Sequence, residues 1–207
     1  CRASDSNGAG AKFVVGTAYG PDATFGGQTV SGLGHQYFAR FTTEGVAELA
    51  TTFGSDTTVP WAAVADGSGN VYVGADFEGH ASFGDRLLAA PHRDALAVGF
   101  PSQMFLARFD RNGVVAWARM AESPAGYANI RDIAAAPDGV WACGFVSTQA
   151  RFEPFVVSGP VTCIGFPFCT LYSHVGGWVA KITDGSSPAT LTLLNPRLAG
   201  GSFAFDF

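Results

Sequence analysis

One ordered set of apolar runs and turns recurs three times along this chain. Val15-Gly16, Val73-Gly74 and Cys143-Gly144 each close a short apolar run, and Phe25, Phe83 and Phe152 follow those glycines by nine, nine and eight positions. Farther on, Tyr37-Phe38-Ala39-Arg40-Phe41, Phe105-Leu106-Ala107-Arg108-Phe109 and Trp178-Val179-Ala180-Lys181-Ile182 lead into polar turns at Thr43-Glu44-Gly45, Arg111-Asn112-Gly113 and Thr183-Asp184-Gly185. Strand-sized pieces in a constant order, at a period of about 60–70 residues, mark a repeat architecture. Such a chain is expected to fold as one continuous array. Repetition of this kind builds a platform and does not by itself supply chemistry.

The local patterns within each unit read as strands. The first candidate covers residues 12–16, 70–75 or 140–145; Val71-Tyr72-Val73 is β-branched and aromatic, and Asp66-Gly67-Ser68-Gly69-Asn70 before it is a tight turn, the combination that makes a hairpin. The second covers 37–41, 105–109 or 178–182. In it Phe105, Ala107 and Phe109 share one face and Leu106 and Arg108 the other, with the period of two that a strand requires. The third covers 46–52, 114–121 or 189–194. The last covers 61–65, 132–136 or 202–207, and in two copies it is small or apolar on both faces, as in Ala62-Ala63-Val64-Ala65 and Ile133-Ala134-Ala135-Ala136. Alanine is also the best helix former, but the Asp-Gly turns that follow, and the recurrence, favour a strand. A strand small on both faces suits a crowded place where neighbouring sheets converge. Composition agrees: 27 glycines, 18 phenylalanines and only 14% charged residues fit short strands joined by turns better than helices.

Four strands per unit joined by hairpins make a β-propeller blade. Ala65-Asp66-Gly67-Ser68-Gly69-Asn70-Val71-Tyr72-Val73-Gly74 and Phe105-Leu106-Ala107-Arg108-Phe109-Asp110-Arg111-Asn112-Gly113 carry a resemblance to the bacterial β-propeller repeats of secreted and surface proteins. It extends from Phe13 to Phe207 and is degenerate in the third copy. The resemblance implies an all-β, propeller-type fold of about three four-stranded antiparallel blades and an extracytoplasmic location, and it implies no reaction. The units are residues 12–69, 70–139 and 140–207, after a flexible tether over 1–11. They are cut one strand out of phase: the chain opens on a second strand and closes on Ser202–Phe207, which matches an innermost one. Three blades are fewer than the four to eight of typical propellers. Two copies closing a ring of six, a longer or unclosed array, and sheets stacked without a ring all remain open.

Charge and cysteine use narrow the function. With 17 acidic against 12 basic residues and no two basic residues adjacent, the chain lacks the clustered cations that phosphate neutralisation needs, which disfavours nucleic acid. Its longest apolar stretches are too short for a membrane-spanning helix. Cys163 and Cys169 bracket Ile164-Gly165-Phe166-Pro167-Phe168 in a stretch without counterpart in the other units, and are expected to close a small disulfide loop; two free thiols are the alternative. Half a metal site would lack its second pair of ligands. Cys143, at the place of Val15 and Val73, reads as a small buried hydrophobe. The start, Cys1 followed by a small polar stretch, resembles a mature bacterial lipoprotein, which implies a lipid on Cys1 and attachment to a membrane surface without insertion.

Candidate chemistry is sparse. His35, His80, His92 and His174 have no metal-ligand spacing, and Asp66, Asp110, Asp138 and Asp184 fall in turns, where Asp caps its own backbone. A carboxylate pair such as Glu78 and Asp85 would need burial and a defined separation to act on a glycoside. Neither a nucleophile elbow nor a phosphate-binding loop is present, and no cofactor or metal is expected. Trp61, Trp117, Trp141 and Trp178 fall on or beside strands and read as core. Phe166, Phe168, Leu171 and Tyr172, in the unmatched apolar excursion, are the candidate binding residues. The expected function is a non-enzymatic extracytoplasmic binding or scaffolding subunit at a bacterial outer membrane, periplasm or cell surface, whose partners are other protein chains or a second copy. The rivals are a propeller-type lyase or glycoside hydrolase and a carbohydrate-binding surface protein.

Overall fold

The computed structural model of the protein describes residues 3–6, 10–31, 35–90, 102–121, 123, 128–146, 149–152, 155–158, 161–164, 170–173, 176–183 and 192–194, with side chains for most positions up to Val146 and for 178–182. Every regular element among them is a strand. The first unit comprises β1 (Ala3–Ser6), β2 (Lys12–Thr17), β3 (Asp22–Phe25), β4 (Gln28–Ser31), β5 (Gln36–Phe41) and β6 (Ala47–Phe53). The second comprises β7 (Val59–Ala65), β8 (Val71–Phe77), β9 (His80–Phe83), β10 (Arg86–Ala89), β11 (Gln103–Phe109) and β12 (Val115–Ala121). The third comprises β13 (Ala128–Ala136), β14 (Gly139–Val146), β15 (Gln149–Phe152), β16 (Phe155–Ser158), β17 (Val161–Ile164), β18 (Thr170–Ser173), β19 (Gly176–Thr183) and β20 (Thr192–Leu194).

Each unit forms a four-stranded sheet, in the orders β1-β2-β5-β6, β7-β8-β11-β12 and β13-β14-β19-β20, and the pairings are antiparallel throughout. The all-β expectation of repeated four-stranded antiparallel sheets is met. A two-stranded hairpin, β3–β4, β9–β10 or β15–β16, is inserted between the second and third strands of each sheet. Phe25, Phe83 and Phe152 end the first arms of these hairpins, opposite Gln28, Arg86 and Phe155. That is why a phenylalanine recurs at near-constant distance from the glycine, although the sequence reading assigned no strands there. The third unit adds β17–β18, which has no counterpart among the described residues of the other two.

The second and third sheets each begin with the strand that closes the preceding sequence unit, so the breaks between sheets fall between Phe53 and Val59 and between Ala121 and Ala128. Part of the expected tether is structured: β1 pairs with β2 from Ala3 opposite Val15 to Ser6 opposite Lys12, and the Asp5 carboxylate accepts the Ala65 backbone N–H at 2.9 Å. The first-strand place in the first sheet thus belongs to Ala3–Ser6. Ser202–Phe207, expected to be an innermost strand, lies outside the described residues.

One turn serves three hairpins. Thr42, Asp66 and Asp110 each donate their N–H to the carbonyl four residues on, at 2.8, 2.9 and 2.8 Å, and accept from Gly45, Gly69 and Gly113. Those glycines have φ of +85°, +82° and +76°, a region costly for residues with a Cβ. Asp66 Oδ1 accepts the N–H groups of Ser68 and Asn70, and Asp110 Oδ1 those of Asn112 and Val114, all at 2.8–2.9 Å. These aspartates cap their own turns, as their spacing implied.

The core lies between sheets. Phe13, Phe38, Phe53, Phe77, Phe83, Phe105 and Phe109, none more than 2% exposed, pack together between the first and second sheets. Their rings meet at centroid separations such as 5.5 Å for Phe38–Phe109 and 4.9 Å for Phe83–Phe105. Each buried ring contributes at most roughly 1.5–3 kcal/mol by removal from water. A second cluster, with Tyr72, Met104, Leu106, Ile130, Val140 and Trp178, fills the space between the second and third sheets. The alanine-rich β7 touches β1 and β2 as well as β13, and its residues divide between the two clusters: Ala62 and Val64 to the third sheet, Ala63 and Ala65 to the first. Small side chains on both faces are what this convergence requires.

Two of the recurring glycines lie under cross-strand aromatic rings. Gly16 pairs with Tyr37, and Gly144 with Trp178; a Cβ on either would fall within 3 Å of that ring. Gly74 pairs instead with Leu106, one residue out of step, and the space over it is taken by Ile130 of the next sheet. The Val-Gly signature is therefore slipped by one residue in the second sheet.

Candidate functional site

The first strands of the second and third sheets each carry a β-bulge beside the glycine partner. In β7 the register passes from Pro60–Ala75 to Ala62–Gly74, leaving Trp61 unpaired; in β13 it passes from Ile130–Gly144 to Asp132–Cys143, leaving Arg131 unpaired. A bulge re-aims the extra side chain out of the regular alternation. Here the two extra side chains meet. The Arg131 guanidinium carbon lies 4.3 Å from the centre of the Trp61 ring and 4.7 Å from that of Phe145 on β14. At these distances the contacts have cation–π character, worth about 0.5–2 kcal/mol depending on exposure.

Beneath this stack sits Asp76, near the end of β8. Its Oδ1 accepts the indole N–H of Trp61 and, at 3.4 Å, the side-chain N–H of Asn129 on β13. Burial pushes the carboxyl up to about 7, against the Asn129 hydrogen bond and the attraction of Arg131, while the Glu78 charge adds to the rise. A carboxyl in this setting titrates near neutrality because the charged form loses water faster than its partners replace it. Asn129 is 3% exposed, and its side-chain oxygen has no hydrogen-bond partner. An aromatic pair, an exposed cation, a half-buried acid and an orphaned amide oxygen thus converge at the junction of two sheets. Perturbed acids gather at functional sites more often than elsewhere.

A second concavity of about 390 Å³ lies among β6, β9 and β12, with Phe53, Phe83 and Phe109 at its base and His35, Ser82 and Asp85 at its rim. Glu78 does not line it. Among the described residues no group of three or more His, Cys, Asp or Glu side chains is placed to hold a metal, and no helix is long and apolar enough to cross a membrane.

The sequence-predicted residues fare unevenly. Cys1, Phe166, Phe168 and Cys169 lie outside the described residues, as do His92 and His174. Cys163, Leu171 and Tyr172 are described in backbone alone: Cys163 pairs with Leu171, and Thr162 with Tyr172, across β17–β18. The expected Cys163–Cys169 disulfide therefore falls partly outside the described residues. Cys143 departs from expectation, being half-buried rather than buried, because it lies on the face of the third sheet turned away from the second. Burial and the nearby Asp132 hold its thiol proton above the ordinary range. Trp178 is core, 3% exposed, whereas Trp61, Trp117 and Trp141 are half-buried.

Sequence reasoning missed Asp76, Asn129 and Arg131. The available signal was Asp76 itself, a charged residue inside the apolar run Val71–Phe77 where the other copies have uncharged residues. Compared with protein-family models and with curated proteins, the chain matches none.

Proposed function

We propose that the protein is a non-enzymatic binding or scaffolding subunit, a run of three propeller-type blades whose array continues in a second copy of the chain. The observation that carries this reading is directional. The face bearing Trp178, Ala180 and Ile182 in the third sheet packs on the second sheet, and the equivalent Phe105, Ala107 and Phe109 face of the second packs on the first. The corresponding face of the first sheet, Tyr37, Ala39 and Phe41, is covered by its own β3–β4 hairpin, with Phe41 half-buried. At the other end, among the described residues, Trp141, Phe145 and Val179 are half-buried and Ala134 of β13, opposite Trp141, is exposed. Sheets that all face one way have unlike ends, and unlike ends add head to tail. Two copies make six blades, within the range in which propellers close.

The native mass in solution tests this. Light scattering at micromolar concentration is expected to give twice the 21.5 kDa of the chain; a single-chain mass at every concentration sinks the reading. Within it, the resemblance to repeats of secreted and surface proteins implies a location outside the cytoplasm, at a bacterial outer membrane, periplasm or cell surface. A Cys163–Cys169 disulfide would brace the added β17–β18 hairpin, and Phe166, Phe168, Leu171 and Tyr172 would offer a further contact for other protein chains.

Asp76 favours one rival, a propeller-type carbohydrate-active enzyme. A carboxyl pushed up to about 7 and placed near Glu78 has the acidity of a general acid. The enzyme reading requires that Asp76→Asn abolish turnover of a glycan; the scaffold reading requires that the substitution leave the native mass unchanged.

A further inference from the structure

We propose that Arg131 is a proton-switched cover over the Trp61 and Phe145 rings: when the Asp76 carboxyl gives its proton to solvent, the guanidinium leaves the rings to pair with the carboxylate, and the rings are uncovered.

The geometry supplies the parts of a two-position device. Arg131 is the bulged residue of β13, outside the ladder register, so its side chain can move without breaking a strand pair. It is exposed, and stacking on Trp61 and Phe145 is the contact that holds it. Asp76 is within electrostatic reach from the neighbouring sheet, and is tied to the same rings through the indole N–H of Trp61. The charged groups around this acid are Arg131 on β13 and Glu78 just beyond β8; Asp132, next to Arg131, has its Oδ1 on the Ile133 N–H at 2.9 Å. The strand partners of Asp76, Val59 on β7 and Met104 on β11, are apolar. Among the described residues, Arg131 is thus the cation acting on Asp76.

Protonation decides which attraction wins. While Asp76 is neutral, the cation–π contacts are the stronger hold on Arg131. Once Asp76 is ionised, a half-buried charge without a full complement of donors is costly, and a guanidinium supplies N–H groups matched to a carboxylate. Asn129 keeps one N–H on the acid in both positions and joins the third sheet to the second across the switch. Burial sets the changeover near pH 7, the value to which the Asp76 carboxyl is raised.

Tryptophan fluorescence and the Asp76 side-chain carboxyl ¹³C signal, followed together from about pH 5 to pH 9, test this. The expected result is one fluorescence transition near pH 7 that coincides with Asp76 titration, is lost in Trp61→Phe and is lost in Asp76→Asn. Arg131→Gln, which removes the cover and the attraction while leaving Asp76 in place, is expected to abolish the fluorescence change and move the ¹³C midpoint to higher pH. Persistence of the transition in Asp76→Asn overturns the switch. So does a flat Trp61 signal while Asp76 titrates, or an unchanged ¹³C midpoint in Arg131→Gln. Should Asp76→Asn fail to fold, the Arg131→Gln titration decides by itself.

Discussion

Asp76 shows how one residue can work against the fold that contains it. Its carboxyl is raised to about 7 from 3.8, chiefly by burial, so between those values the folded chain retains a proton that the unfolded chain has released. Stability contributed by the protonated form is complete below the unfolded value and declines as pH rises toward the folded one. Thermal unfolding midpoints are therefore expected to fall between about pH 4 and pH 7 and then level off, with Asp76→Asn removing this part of the slope. An equally steep decline in Asp76→Asn would show that another group is responsible. The carboxylates of Glu44 and Asp138 have the opposite sign: hydrogen bonds from Thr43 and from Lys181 hold them below the usual range, and both lie on the surface. Their contribution changes at lower pH, as they become protonated, and exposure keeps it small.

At the level of the strand, what recurs is a set of solutions to close approach. Buried glutamines open β5 and β11: Gln36 accepts from Thr17 at 2.7 Å and donates to the Ser55 carbonyl, and Gln103 donates to the Ser123 carbonyl at 2.8 Å. Both clamp the chain where it leaves one sheet for the next. Gly74 is the counterpart on the sheet face. A Cβ there would stand 2.6 Å from Cγ2 of Ile130, a β-branched side chain held in the core between two sheets. Gly74→Ala is therefore expected to destabilise by about 1–3 kcal/mol. Gly67→Ala, in a turn with open space around the glycine, should fall within about 0.5 kcal/mol of the parent. Urea midpoints measure the difference, and equal values for the two would remove the close-approach argument.

For the whole molecule, the second sheet packs against a neighbouring sheet on both faces and, among the described residues, each outer sheet does so on one, so that alanines on corresponding faces of first strands acquire different roles. Ala62 is 5% exposed between the second and third sheets, whereas Ala134 lies open on β13. Ala62→Glu should unfold the chain, since an unpaired buried charge costs several kcal/mol. Ala134→Glu should leave the single chain folded, reduce the native mass to that of one chain and lower the unfolding midpoint only by the share that association adds. An Ala134→Glu variant that keeps the parent's mass would show that this face is not where the array continues. Much of this architecture was legible in the sequence. The period of two in Phe105–Phe109, the Asp-to-Gly turns and the two-faced alanine strand are local properties, set by backbone sterics and by the alternation of side chains along a strand. The inserted hairpins were half legible, through Phe25 and Phe83, because a four-residue strand carries too little pattern to stand out beside its turn. The site was not legible: Trp61, Asp76, Asn129 and Arg131 come from three strands in two sheets, brought together by two bulges. A bulge is a slip of register between strands, and register depends on how whole sheets bury their faces against each other. The sequence by itself determined the strands, their turns and their repetition; only the tertiary packing decided the place of Ala3–Ser6 in the first sheet, the slip at Gly74 and the convergence on Asp76, because desolvation and cross-sheet contact do not exist until the sheets meet.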